Sequence, residues 1–99
     1  MSLNITSEIT TRDGFVLPTS YGRVAVYDAV NGTNLNSSVD IYKDEAAFEA
    51  GDRPVKTKLT TSNTEPYNRD VDGVDILNLA HDRIMDTLSI QGVRSEKNL

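Results

Sequence analysis

Apolar and polar residues alternate most clearly in two segments near the middle of the chain. Residues 23–30 place valines on one face of an extended strand and alanine and tyrosine on the other, and residues 35–42 place aliphatic side chains on a single face. The Asn31-Gly32 dipeptide lies between them and favours a tight hairpin turn, because it tolerates two consecutive positive φ angles. The pattern predicts an antiparallel hairpin whose first strand is covered on both faces.

Two further segments carry the signals of helices. Residues 44–50 begin with Asp44, a good N-terminal cap, continue with helix-favouring Ala and Glu, and are followed by Gly51, which is placed to end a helix. Residues 75–89 repeat apolar positions at helical spacing, and Gly92 follows soon after. The stripe predicted to be buried consists of Leu77, Ala80, Ile84 and Leu88.

The segments between and after these elements are less regular. Residues 55–61 alternate between apolar or Thr side chains and lysines, which predicts a third strand. The polar residues 62–75 predict a loop, and residues 3–11 are irregular but rich in strand-forming types. Residues 94–99 follow the helix and are expected to form a frayed tail.

Composition is typical of a small folded domain. Leu, Ile, Val and Phe supply 25 of the 99 residues, which is enough to fold around a small core. Ser, Thr and Asn supply 26 more, which favours turns and solvated strand faces over a helical bundle. We predict one domain over residues 1–99, α+β and mostly β, built as a small antiparallel meander or sandwich with helices at about 44–50 and 75–89.

Charge and residue usage exclude several classes of function. The net charge is −5, whereas phosphate binding needs clustered cations, so nucleic acid is not an expected partner. No apolar run reaches the ~20 residues of a membrane span, and no signal peptide is recognisable, so neither a membrane nor export is expected. The chain has no cysteine, which excludes disulfides and thiolate chemistry.

The loop before the second helix holds the one pattern that resembles an ion site. Asn68, Asp70 and Asp72 stand at alternate positions and a glycine follows, as at the start of a calcium-binding loop. The match fails at the twelfth position, where Leu79 stands instead of the required glutamate. We expect a polar turn instead, with Asp72 or Asp75 capping the helix, and no metal or cofactor.

The sequence offers few residues for catalysis. His81 is the only histidine, and its neighbour Asp82 points about 100° away around the helix, so we interpret His81 as a half-buried structural residue and not a zinc ligand. Glu45 and Glu49 lie one helical turn apart, but a solvated helix face explains them as well as a carboxylate pair does. We expect no enzymatic activity; a hydrolase that uses these three residues is the weakest alternative.

Apolar surface without an obvious internal partner is the remaining feature. Leu79 lies about 160° around the helix from Leu77 and so faces away from the predicted stripe, and Ile76 and Met85 flank that stripe. Tyr27 belongs to the second apolar face of the first hairpin strand. Either the N-terminal segment folds over that second face, or these residues form a protein–protein interface, and the pattern favours neither reading.

Two stretches of the chain resemble small virion proteins of tailed bacteriophages. Residues 39–55 run from a strand with an aromatic end into an Ala-rich turn closed by Gly-x-x-Pro. Residues 75–88 resemble the C-terminal helix of those proteins, although His81 and Thr87 stand where an aromatic residue and a lysine are usual. The resemblance covers about residues 35–92.

This resemblance implies a non-enzymatic structural or assembly protein of a phage or prophage particle, in the tail, the baseplate or the head–tail connection. Such a protein is made in the host cytoplasm and ends in the virion. Its partners are other virion proteins or further copies of itself, with no small-molecule substrate. The alternative, which rests on the residues themselves, is a small calcium- or carbohydrate-binding module. It would use residues 68–75 together with Tyr21, Tyr27, Tyr42 or Tyr67.

Overall fold

The described residues form two antiparallel sheets and two helices, one of which lies across the larger sheet. A computed structural model describes residues 1–29, 34–67 and 75–98, with the side chains of 26–29 outside that description. The elements in these ranges are β1 (Ser2–Ile5), β2 (Ile9–Thr10), β3 (Val16–Leu17), β4 (Ser20–Ala29), β5 (Asn34–Tyr42), α1 (Glu45–Glu49), β6 (Ser62–Pro66), α2 (Ile76–Ile90) and β7 (Ser95–Asn98).

The larger sheet has five strands in the order β6-β5-β4-β1-β7, and β2 and β3 form a separate pair. Its longest pairing joins β4 to β5, from Tyr21 opposite Tyr42 to Ala29 opposite Asn34. The predicted hairpin is therefore confirmed, as is the α+β, mostly β class. The predicted Asn31-Gly32 turn lies outside the described residues.

Helix α2 crosses one face of the larger sheet and carries the chain from the β6 edge to the opposite, β7 edge. The side chains that α2 buries are Ala80, His81, Ile84 and Leu88. Ile84 and Leu88 meet the aliphatic face of β1 and β5, together with one residue from β2 and one that follows the helix. The main core therefore consists of Leu3, Ile5, Ile9, Val39, Ile41, Ile84, Leu88 and Val93.

A polar flank of α2 bonds to β6 and to the residues before it. The Arg83 guanidinium donates to Glu65 O at 3.2 Å and to Pro66 O at 2.9 Å. At the C-terminal end of α2, the side-chain amide of Gln91 donates to Thr60 O at 2.9 Å and accepts from Thr60 N–H at 2.7 Å. These bonds satisfy carbonyls along an edge strand that would otherwise depend on water.

Both helices begin and end as predicted. Asp44 Oδ1 and Asp75 Oδ1 each accept from the backbone N–H three residues further on, at 2.7 Å and 3.1 Å. At the C-termini, Gly51 and Gly92 adopt φ angles of +79° and +83°. Each glycine N–H, and the N–H that follows it, donates back to the last helical turn, which is the Schellman arrangement.

The strand predicted over residues 55–61 is wrong, and β6 lies in the segment predicted to be a loop. The two ends of residues 55–61 bond to β5, since Val55 N–H donates to Ile41 O and Thr61 O accepts from Val39 N–H. The middle of these residues does not pair with β5, and Thr57 there pairs with Thr11 instead. Strand β6 is an edge strand whose side chains are mostly solvated. Its pairing comes from main-chain hydrogen bonds, which leave no apolar alternation in the sequence.

The frayed tail predicted over residues 94–99 is also wrong. Strand β7 pairs with the whole of β1, from Ser2 opposite Asn98 to Ile5 opposite Ser95. The Lys97 ammonium nitrogen lies 2.6 Å from Asp82 Oδ1 and 2.6 Å from Asn78 Oδ1, so it ties β7 to α2. Pairing with β1 and these contacts with the helix order a segment that has no apolar pattern.

The face of the larger sheet opposite α2 has an aromatic cluster at one end. The Phe48 ring of α1 lies 5.8 Å from the ring of Tyr21 and 5.1 Å from the ring of Tyr42, and the Arg23 guanidinium carbon lies 4.7 Å from the Phe48 ring centre. Further along that face, Ala25 is exposed. The prediction that β4 is covered on both faces is therefore wrong at Ala25, because β1 pairs beside β4 and does not fold across it.

The pairing of β7 with β1 predicts a pattern of amide protection. Thr6 N–H donates to Arg94 O, and hydrogen-bonded pairs alternate in antiparallel ladders, so the Asn4 N–H points towards β7 and those of Leu3 and Ile5 point towards β4. In the intact chain we expect the Asn4 amide to resist hydrogen exchange measured by NMR. Removal of residues 95–99 should expose it while Leu3 and Ile5 stay protected; a frayed tail would leave Asn4 unprotected in both chains.

The left-handed glycine after α2 predicts a measurable loss on substitution. Gly92→Ala should lower the free energy of unfolding by about 1 kcal/mol, because a residue with a Cβ disfavours this conformation. A Cβ at this position meets no described atom within 4 Å, so the loss comes from the backbone conformation. Gly92→Asn should lose less, since Asn tolerates the left-handed region; equal losses in urea denaturation would contradict this explanation.

Candidate functional site

The helix residues predicted to form an interface are more buried than expected. Leu79 and Ile76 are half-buried against a second small cluster, and Met85 packs against the main core. The second cluster consists of Leu35, Tyr67 and Ala80. Tyr67 follows β6 directly, so it provides an apolar contact for this part of α2 that helical spacing alone does not reveal. The fourth predicted interface residue, Tyr27, has its side chain outside the described part of the chain.

His81 takes the buried position that helical spacing assigned to Leu77. Its side chain is fully buried, deeper than the half-buried position predicted, whereas Leu77 in the first turn is 41% exposed. His81 Nδ1 lies 2.6 Å from Leu77 O, and since a carbonyl only accepts, Nδ1 carries the proton. In the neutral ring Nε2 is then an acceptor, and it has no hydrogen-bond partner within the described ranges. The ring is a packed core group and not a surface ligand.

The predicted calcium-loop residues Asn68, Asp70 and Asp72 lie outside the described residues. Asp75, at the end of that loop, caps α2 as expected. Across residues 1–29, 34–67 and 75–98, no three His, Asp or Glu side chains gather in a way that would hold a metal ion.

The three residues of the hydrolase alternative are not brought together. Glu45 and Glu49 are exposed on α1, and the Phe48 ring between them stacks on the sheet face opposite α2. His81 is buried beneath α2 on the other face. The sheet therefore separates the two carboxylates from the imidazole.

Of the four tyrosines proposed as a sugar platform, the three whose side chains the structure describes are also engaged elsewhere. Tyr21 and Tyr67 are buried, and Tyr42 is half-buried with its ring in a T-shaped contact with Phe48. Stacking of a sugar needs an open aromatic face, and these three side chains are packed within the fold. Their arrangement favours a structural role.

Exposed apolar side chains occur elsewhere, at the tip of the β2–β3 hairpin and in the last turn of α2. Phe15 is 70% exposed, Val16 51% and Ile90 88%. The alternation pattern did not single out Phe15 and Val16. The usable signal was the Asp13-Gly14 turn before them and Pro18 after Leu17, which leave a strand too short to bury two bulky residues in succession.

Phe15 and Val16 border a cleft of about 590 Å³ between the hairpin and the end of β5, which we call the hairpin cleft. Its apolar lining is Phe15, Val16, Leu17, Pro54 and Val55, and its polar lining is Thr11, Asp13, Lys43 and Lys56. Leu17 and Val55 also pack against the main core. The inner side of the cleft is therefore anchored to the rest of the fold.

The charge of the hairpin cleft is opposite to that of the chain as a whole. Lys43 and Lys56 line it against a single acid, Asp13, in a chain of net charge −5. The ion pairs found among the described residues join Arg83 to Glu65 and Lys97 to Asp82, so neither cleft lysine is held in one of them. The cleft thus combines apolar walls with two available cations.

Comparison with known proteins assigns no family to this chain. No family model, no curated protein and no solved structure matches it. Within the ranges that the structure describes, no helix is both long enough and apolar enough to cross a membrane.

The packing of His81 leads to opposite expectations for two substitutions. His81→Ala should lower the free energy of unfolding by roughly 2–4 kcal/mol, because it leaves a cavity beneath α2. His81→Leu fills the space and removes a buried nitrogen without a partner, so it should stay within about 1 kcal/mol of the natural chain. Urea denaturation of both variants separates the two effects. Equal losses would mean that the bond to Leu77 O, and not the filled volume, makes His81 important.

Proposed function

We propose that this chain is a non-enzymatic structural or assembly subunit of a phage or prophage particle that acts through protein–protein interfaces. The observation that carries the proposal is the exposure of Phe15 and Val16 beside the hairpin cleft. Bulky apolar side chains next to an open cleft are characteristic of surfaces that another molecule covers. The resemblance of residues 35–92 to small virion proteins provides the setting.

In this proposal the chain resides in the virion, in the tail, the baseplate or the head–tail connection. Its partners are other virion proteins or further copies of itself, and it takes no nucleic acid, membrane or small-molecule substrate. The separation of Glu45 and Glu49 from His81 by the larger sheet supports the non-enzymatic part of the proposal. The acidic net charge supports protein partners over nucleic acid.

Mass spectrometry of purified particles tests this function directly. We expect the chain in particles banded on a density gradient, at a constant ratio to the other virion proteins from one preparation to the next. Sedimentation of the purified chain should also show association as its concentration rises. A chain that stays monomeric at every concentration and is absent from purified particles would refute the proposal.

A further inference from the structure

We propose that the hairpin cleft binds an extended acidic segment of a partner protein, which adds as a strand beside β3. This inference deepens the proposed function and rests on it for its setting, because it names the contact through which the subunit would join its neighbours. Three properties of the cleft support it: a free main-chain edge, apolar walls and two lysines.

The free main-chain edge is at Val16. Thr11 N–H donates to Phe15 O at 2.8 Å, so Thr11 and Phe15 form a hydrogen-bonded pair of the β2–β3 ladder. Such pairs alternate with non-bonded ones, and Thr10 opposite Val16 is therefore a non-bonded pair. The Val16 N–H and C=O then point away from β2, and no described residue pairs with them. An extended segment can accept from one and donate to the other.

The apolar walls suit alternate side chains of such a segment. Side chains of a strand point to opposite sides in turn, so every second residue of an added strand would face the cleft. There it would meet Phe15, Pro54 and Val55. Val55 and Leu17 also pack against the main core, which holds them in place. The cleft therefore presents a firm apolar surface to a segment lying along β3.

The two lysines select the charge of that segment. Lys43 and Lys56 line the cleft and can pair with carboxylates that lie beside the apolar side chains. The rest of the chain is acidic overall, so it repels an acidic partner from most of its surface. Charges at the rim of an interface act mainly on specificity and on the rate of association. The cleft is thus the place where an acidic segment would be accepted.

The edges of the larger sheet are less suited to adding a strand. The Arg83 guanidinium already donates to two carbonyls along β6, and Pro66 removes a donor from that strand. Strand β7 carries Glu96 and Lys97 in succession, and charged residues on an edge disfavour pairing with further strands. Neither edge strand has a large apolar side chain that is as exposed as Phe15.

A synthetic peptide tests the chemistry of the cleft. The probe is a fluorescein-labelled octapeptide of alternating valine and glutamate, titrated with the full chain and followed by fluorescence anisotropy. The matched peptide has lysine in place of glutamate. We expect the acidic peptide to bind at least about tenfold more tightly than the basic one, with affinity falling as salt is raised. Equal affinities for the two peptides would overturn the proposal.

Variants of the chain locate the binding. Phe15→Ser and the pair Lys43→Glu with Lys56→Glu should each weaken the acidic peptide about fivefold or more. Val16→Pro removes the outward N–H without removing a bond of the β2–β3 ladder, and it should weaken binding similarly. The controls Ile90→Ser and Arg94→Glu make the same kinds of change at exposed positions that do not line the cleft, and they should bind as the natural chain does.

The outcomes separate this inference from the proposed function. If Val16→Pro, with its melting temperature unchanged, still binds as tightly as the natural chain, strand addition at β3 is wrong. If the controls weaken binding as much as the cleft variants do, the location is wrong. Presence of the chain in purified particles together with failure of the peptide to bind would retain the proposed function and refute this contact. If the acidic peptide binds as expected but purified particles lack the chain, this contact is retained and the proposed function is refuted.

Discussion

The position of helix α2 across the larger sheet is the constraint on which the rest of the structure depends. Its buried stripe fills the aliphatic face of β1 and β5. On one flank of the helix, Arg83 and Gln91 donate hydrogen bonds to main-chain carbonyls of β6 and of Thr60. On the other flank, Asn78 and Asp82 contact the Lys97 ammonium of β7. The helix therefore holds both edges of the sheet as well as its centre, and short, polar strands become part of one unit.

This use of α2 determines which surfaces are left for a partner. Helix α2, the one long helix of the described residues, covers a single face of the sheet. Ile76, Leu79 and Met85 on its flanks pack against the second cluster or the main core. The β2–β3 hairpin contributes Ile9 to that core but leaves Phe15 and Val16 outside it. Two exposed apolar side chains therefore adjoin each other at the hairpin, as Phe15 and Val16, whereas Leu77 and Ile90 are exposed singly at the two ends of α2.

Elements with a strong local signal were predictable, and elements that depend on distant pairing were not. The β4–β5 hairpin follows from alternation and a turn dipeptide, and the helix ends follow from Asp44, Asp75 and two glycines. Strands β6 and β7 have polar sequences, and what orders them is pairing with neighbours far away along the chain. Helical spacing gave the direction of the buried stripe correctly. It could not tell that the first turn, with Leu77, is left exposed while His81 lies over the core.

Native-state hydrogen exchange tests most directly whether α2 and the sheet form one unit. The Val39 N–H donates to Thr61 O, so the next amide in β5, that of Asp40, points towards β4. We expect the amides of Ile84 and Leu88 in α2 and of Asp40 in β5 to exchange with the same free energy and the same dependence on denaturant, because all three open only on global unfolding. The Thr11 amide, which closes the hairpin, should exchange at a lower free energy through local opening. Exchange of the α2 amides at a lower free energy than that of Asp40 would show that the helix and the sheet do not form one unit.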